Sequence, residues 1–149
     1  MQGVLMSQKT TGELMKLLSS AKNISDLKQY TDTLSHNVFP SSFPEYLSEL
    51  LRVHQMTPAE LIASAGIQRN YGYQILDGRR HPSRDKVLSL CLALTLDVTE
   101  TQRALTLTQN GQLYSKNRRD SILIFALEKK LSVIDTNALL EEMSEPLLS

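Results

Sequence analysis

Between residues 66 and 86 the chain gathers five cationic side chains, Arg69, Arg79, Arg80, Arg84 and Lys86, against two carboxylates, Asp77 and Asp85. The amides Gln68, Asn70 and Gln74 and the rings Tyr71 and Tyr73 are interleaved with them. These residue types match the surface of a nucleic acid. A guanidinium forks onto O6 and N7 of guanine, a carboxamide pairs bidentately with adenine, and a tyrosine offers its edge to a thymine methyl or its hydroxyl to a phosphate.

Other chemistry is poorly supplied. The three histidines, His36, His54 and His81, are not spaced as metal ligands, and Cys91 is the only cysteine. No Gly-rich phosphate loop, G-x-S-x-G turn or kinase signature occurs, so the sequence points away from an enzyme and implies no catalytic residue, metal or cofactor.

The elements that must position the cationic stretch are helical. Apolar residues at Tyr46, Leu47, Leu50 and Leu51 predict a helix from Pro44 to about Gln55. Thr57-Pro58-Ala59-Glu60 is a capping box with proline in the first turn, opening a second helix that stops at Gly66. A third spans 68–76 and closes at Asp77-Gly78. Ser83 caps a fourth that turns Val87, Leu88, Leu90, Cys91 and Leu94 inward, and Thr99-Glu100-Thr101-Gln102 reads as a second capping box opening a fifth, to about Thr108. Leu47, Leu50, Leu51, Leu61, Ile62, Ile67, Ile75, Leu88 and Leu92 are the expected core.

Upstream, residues 1–9 lack periodicity and read as a frayed end. Thr10 or Thr11 is expected to cap a helix with Leu14, Met15, Leu17 and Leu18 on its apolar face, and Ser25 to cap another over 26–34. The stretch from His36 to Pro44 reads as a linker. Downstream, an offset of 35 places Arg84-Asp85 on Arg119-Asp120, and Leu88, Leu92, Leu96, Val98, Thr101 and Leu105 on Leu123, Leu127, Leu131, Val133, Thr136 and Leu140. Two similar helix hairpins, stacked side by side, are the expectation. The fold class is all-α, organised as an N-terminal extension (1–42), a five-helix domain (43–110) and a C-terminal helical hairpin (111–149).

The 149 residues hold 16 Lys and Arg and 16 Asp and Glu, so the whole-molecule field does not draw the chain to nucleic acid and any attraction must be local. The lone cysteine, and the lack of an apolar run long enough for a bilayer or of a signal-peptide pattern, point to a cytoplasmic protein with no membrane contact.

At Thr57-Pro58-Ala59-Glu60-Leu61, Ala65-Gly66-Ile67, Arg69-Asn70, Gln74-Ile75 and Gly78-Arg79-Arg80-His81-Pro82-Ser83, the chain resembles the lambda-repressor-like, or Xre-type, helix-turn-helix family of bacterial and phage transcriptional regulators. The resemblance covers about residues 46–108. It implies a partner, double-stranded DNA, read in the major groove by the 68–76 helix. The family's base-reading positions fall on Arg69, Asn70, Tyr73 and Gln74, with Gln68 at the helix cap. Its backbone-positioning sites fall on Arg79, Arg80, Arg84 and Lys86, with the Tyr71 hydroxyl a further phosphate donor. A homodimer on a two-fold operator is implied, with contacts from Ile122, Ile124, Phe125, Val133, Ile134, Leu139 and Leu140, unless these only cover the fifth helix.

Two residues depart from the family pattern. Gly72 stands where a buried Ile or Val is usual, at a cost of about 1 kcal/mol in a helix interior; the expected gain is close approach of the second and third helices, with Tyr71 or Tyr73 over the gap. Pro58 stands where relatives present a Gln to a phosphate. These departures and the balanced charge leave an alternative open, a protein-interaction module docking a partner through Tyr71, Gly72 and Tyr73, or through the N-terminal extension or the C-terminal hairpin.

Overall fold

The computed structural model describes residues 11–36 and 42–149, and every regular element among them is an α-helix. The chain divides into two units, Met1–Ser41 and Ser42–Ser149. The end expected to fray at residues 1–9, the Thr10 cap and most of the expected linker lie outside the described residues.

In the first unit α1 (Thr11–Ser19) packs against α2 (Ile24–His36). The cap of α2 is Asn23 rather than Ser25: its side-chain oxygen accepts from the Asp26 amide at 2.9 Å, and the Asp26 carboxylate reaches back to the Lys22 amide at 3.0 Å. The Asn23 oxygen satisfies one orphan N–H of the first turn and the Asp26 carboxylate ties the chain just before the cap, whereas Ser25 already lies inside the first turn.

The second unit holds seven helices: α3 (Phe43–Val53), α4 (Pro58–Ala65), α5 (Arg69–Leu76), α6 (Arg84–Ala93), α7 (Val98–Leu107), α8 (Arg118–Glu128) and α9 (Val133–Glu142). Ser42 caps α3, and Pro44 sits in its first turn, where a missing N–H costs nothing. Thr57 and Glu60 form the expected reciprocal box on α4, which ends at Gly66 in the left-handed conformation, φ 68°. The box on α7 lies two residues earlier than Thr99 and Gln102. Asp97 accepts from the Glu100 amide at 2.8 Å and Glu100 returns a carboxylate to the Asp97 amide at 3.1 Å. An Asp cap is charged as well as bonded, and the helix dipole favours it.

One core runs through the unit, from Phe43 and Leu47 on α3, through Leu61, Ile75 and Leu88, to Leu127 and Leu140 on the last two helices. All nine residues expected to be core are buried in it. Burial also pushes the Cys91 thiol up to about 12, leaving it protonated and unreactive at neutral pH.

The repeat is structural. α9 begins and ends 35 residues after α7, its cap Ser132 corresponds to Asp97, and the left-handed residues Thr95 and Gln109 correspond to Lys130 and Ser144. Within the first copy Arg84 donates from Nε to the Gly111 carbonyl at 2.8 Å and from Nη2 to that of Gln112 at 3.1 Å. Within the second, Arg119 donates to the equivalent carbonyls of Pro146 at 3.0 Å and Leu147 at 3.2 Å. Between the copies the pairing crosses over. Arg84 forks onto Asp120 at 2.9 and 2.8 Å, and Arg119 onto Asp85 at 3.0 and 3.1 Å. The Tyr114 amide donates to Asp120 and the equivalent Ser149 amide to Asp85. Helix contacts cross in the same way, α6 to α9 and α7 to α8. The crossed pairing relates the two hairpins by an approximate two-fold axis.

The copies differ where they meet the rest of the unit. Val87, Leu90, Ala104 and Thr108 are buried, with α4 against α6 and α3 against α7. Their equivalents Ile122, Phe125, Leu139 and Met143 line a shallow apolar groove with Ser121, and Phe125 is 48% exposed.

Burial is the largest single influence on Asp85 and Asp120 and opposes their ionisation, but the bonds from Arg119 and Arg84, the amides of Ser149 and Tyr114 and the arginine charges together outweigh it and hold both carboxyls below the usual range. The ionised form is therefore favoured by folding. Its stabilisation is present above the unfolded carboxyl value of about 4 and is lost as pH falls through the lower folded values. Asp120→Asn and Asp85→Asn are each expected to cost about 1–3 kcal/mol at pH 7, read from urea midpoints. The double variant should lose less further stability than the wild type between pH 5 and pH 2; equal acid sensitivity would remove the crossed pairs from the account.

Candidate nucleic-acid interface

α5 is a two-turn helix with opposite faces. Gly72 and Ile75 are buried, Tyr71, Tyr73, Gln74 and Leu76 are half-buried, and Arg69 and Asn70 are exposed. Its inward face is set by contact with α4. A Cβ on Gly72 would lie 2.7, 2.8 and 2.9 Å from Cγ1, Cγ2 and Cδ1 of Ile62, a buried and β-branched side chain with no room to yield. Gly72 thus holds α4 and α5 in close approach, and the rings of Tyr71 and Tyr73 pack over the core on either side of it.

Gln68 caps the helix. Its side-chain carbonyl accepts from the Tyr71 amide at 2.8 Å, which leaves its NH2 group facing solvent. Gln68 thus has one lone pair of its oxygen committed to the cap, and its NH2 group remains for a base edge. Arg69 lies over the Tyr73 ring, 5.8 Å from its centroid, one helical turn on.

Tyr71 gathers two further cations. Arg80, from the loop after α5, lies 5.6 Å from its ring centroid, and Lys86, from the first turn of α6, lies 5.9 Å from it. Cations over an aromatic face are held by its quadrupole without losing their charge. Arg79, also in the loop, is exposed and paired with Asp77 at 2.6 Å. The pair raises the Arg79 pKa and lowers that of Asp77, chiefly through the hydrogen bond between them. Exposed to solvent on both partners, the pair does not pin Arg79 in place.

Arg84 departs from the expected phosphate set. Four of its five N–H groups are taken by the Gly111 and Gln112 carbonyls and the Asp120 carboxylate, and its side chain is 28% exposed. The residue belongs to the joint between the hairpins. A run of cations in sequence cannot distinguish that role from phosphate contact, although the match of Arg84-Asp85 to Arg119-Asp120 carried the signal. Also unforeseen is the bond from Arg80 Nε to Gln74 Oε1 at 2.9 Å, accompanied by the Arg80 amide on the Gln74 carbonyl at 3.1 Å.

Comparison with protein-family models, curated proteins and solved structures finds no match to the chain. Arg69, Asn70 and the Gln74 amide project from one helix, flanked by Arg79, Arg80 and Lys86, with Pro58 exposed at the start of α4 and Thr57 exposed beside it. Among the described residues no helix is long and apolar enough to cross a membrane, and no three His, Cys, Asp or Glu side chains come together as metal ligands.

Gly72→Ala is expected to destabilise the protein by about 1–2 kcal/mol, because overpacking against Ile62 exceeds the gain in helix propensity. Ile62→Ala removes all three atoms in conflict. Combined with Gly72→Ala it should cost clearly less than the sum of the two single changes in denaturant unfolding, whereas strict additivity would mean that the residues do not share a contact.

Proposed function

We propose that residues 42–149 form a sequence-specific double-stranded DNA-binding module of a transcriptional regulator. In this reading α3–α7 are a lambda-repressor-like domain in which α4 and α5 are the helix-turn-helix, and α5 lies in the major groove. The observation that carries it is the orientation of α5: Gly72 seats one face on Ile62, and Arg69, Asn70 and Gln74 stand on the other beside Arg80 and Lys86. Arg69 and Asn70 reach base edges first, Tyr73 supports Arg69, and the Gln68 and Gln74 amides complete the reading face. Arg79, Arg80 and Lys86, with the Tyr71 hydroxyl, position the duplex through its phosphates.

The net charge of zero sets the scale of affinity. With no long-range field, attraction comes from a few local contacts. Selection from random duplexes should enrich one motif, and binding to it should weaken with salt at a slope of about −3 on logarithmic axes, as expected for the three phosphate-facing cations. Arg69→Ala with Gln74→Ala should abolish the enrichment while leaving the fold intact. Failure to enrich any motif, with binding insensitive to salt, overturns the reading.

A second reading is favoured by the groove of Ile122, Phe125, Leu139 and Met143, and by Ile134, 80% exposed on α9. This face suits protein contact, either a second copy that pairs half-sites about one helical turn apart or a different partner. Sedimentation of the wild type against Phe125→Glu separates these outcomes: a dimer that the charge dissociates supports self-association, and a monomer in both leaves the face to another protein.

A further inference from the structure

We propose that Arg80 is a positioning residue that makes Gln74 a guanine reader rather than an adenine reader; the inference rests on α5 reading duplex DNA. The geometry decides which way the Gln74 amide faces. Arg80 Nε carries only a donor hydrogen, so its partner at 2.9 Å must be the carboxamide oxygen. The NH2 group is then the end left to meet a ligand, and among the described residues it donates to nothing else. The backbone repeats the tie, the Arg80 amide donating to the Gln74 carbonyl at 3.1 Å. The Tyr71 ring, 5.6 Å from the guanidinium, supports it from a second side.

Adenine presents an acceptor, N7, and a donor, the 6-amino group; bidentate pairing with a glutamine uses both ends of the amide. Here the acceptor end is occupied by a donor belonging to a cation, and a second donor arriving at the same oxygen would meet that positive charge. Guanine presents two acceptors side by side, N7 and O6, matching the two hydrogens of a free NH2 group, and the neighbouring guanidinium adds attraction to the same edge. Nη1 and Nη2 of Arg80, bonded to nothing among the described residues, remain for a phosphate. One side chain thereby links the backbone contact to the base contact, and the loop after α5 takes part in reading sequence.

The test is motif selection from random duplexes with four full-length proteins: wild type, Gln74→Ala, Arg80→Met and Gln74→Glu. Gln74→Ala identifies the base pair that Gln74 reads, as the position whose preference it erases. The expected wild-type base there is guanine. Arg80→Met, which frees the acceptor, should move the preference toward adenine by about tenfold, a size typical of one bidentate pair. Gln74→Glu, which keeps the tie to Arg80 but presents only acceptors, should lose guanine and favour cytosine, whose major-groove edge is a donor. Arg80 is exposed, so its replacement is not expected to disturb folding, and circular dichroism of each variant checks this. A wild-type preference for adenine, or a guanine preference unchanged in Arg80→Met, overturns the role of Arg80 while leaving DNA reading intact. No motif for the wild type overturns both.

Discussion

Where α4 and α5 touch there is no space for a side chain, and the orientation of everything that follows α4 depends on that contact. Gly72 lies against Ile62 so closely that the smallest substituent would sit inside van der Waals distance of three of its carbons. A helix only two turns long has little stability of its own and is held by what it packs on. With Gly72 and Ile75 inward, geometry leaves Arg69 and Asn70 outward, and the left-handed turn at Gly66 sets the direction in which α5 leaves α4. The loss of helix propensity at glycine is offset by this fit. Tyr71 and Tyr73, flanking it, are half-buried against the core and carry cations on their rings, so one turn of helix links packing to charge placement.

A second constraint closes the unit from the other end. The crossed bonds of Arg84 with Asp120 and Arg119 with Asp85 join two hairpins that share a sequence pattern and face each other about an approximate two-fold axis. Each arginine also satisfies two carbonyls at the end of its own hairpin, so four of the five N–H groups of each guanidinium are bonded and each carboxylate receives an amide besides. Pairs this well satisfied recover much of the cost of leaving water. The arrangement draws Arg84 toward the joint between the hairpins and brings α8 and α9 into the same core as α3–α7. It also leaves one consequence of symmetry unmet: the outer face of the first hairpin is covered by α3 and α4, whereas the equivalent face of the second is a shallow apolar groove with Phe125 half-exposed.

Helix periodicity, the Thr57–Glu60 box and the Gly66 stop were legible because each is a local pattern whose physics acts within a few residues. The core was legible for the same reason, and so was the purpose of Gly72, because a glycine inside a helix loses stability unless a close packing contact offsets it. The repeat could be read as similarity but not as symmetry, since a two-fold relation is set by which residues meet and not by their order. Caps were misplaced where two candidates stood close together: Asp97 against Thr99, and Asn23 against Ser25. In both, a side chain three residues ahead of a carboxylate won. The tie between Arg80 and Gln74 could not be seen, because it depends on the path of the loop through Gly78, φ 87°, back toward α5. Arg84 was assigned by its neighbours in sequence, whereas its partner lies 36 residues away.

These two constraints leave a helical unit with one polar, cation-flanked helix face held rigidly outward. The central claim is that this face meets duplex DNA. The most direct measurement is a titration of the isotope-labelled full-length protein with a 20-base-pair duplex at low salt, followed by amide NMR. The account expects shifts confined to residues 68–74 and 79–86, with α8 and α9 unaffected. Shifts centred on Ile122, Phe125 and Leu139 instead, or none at all at millimolar duplex, would contradict it.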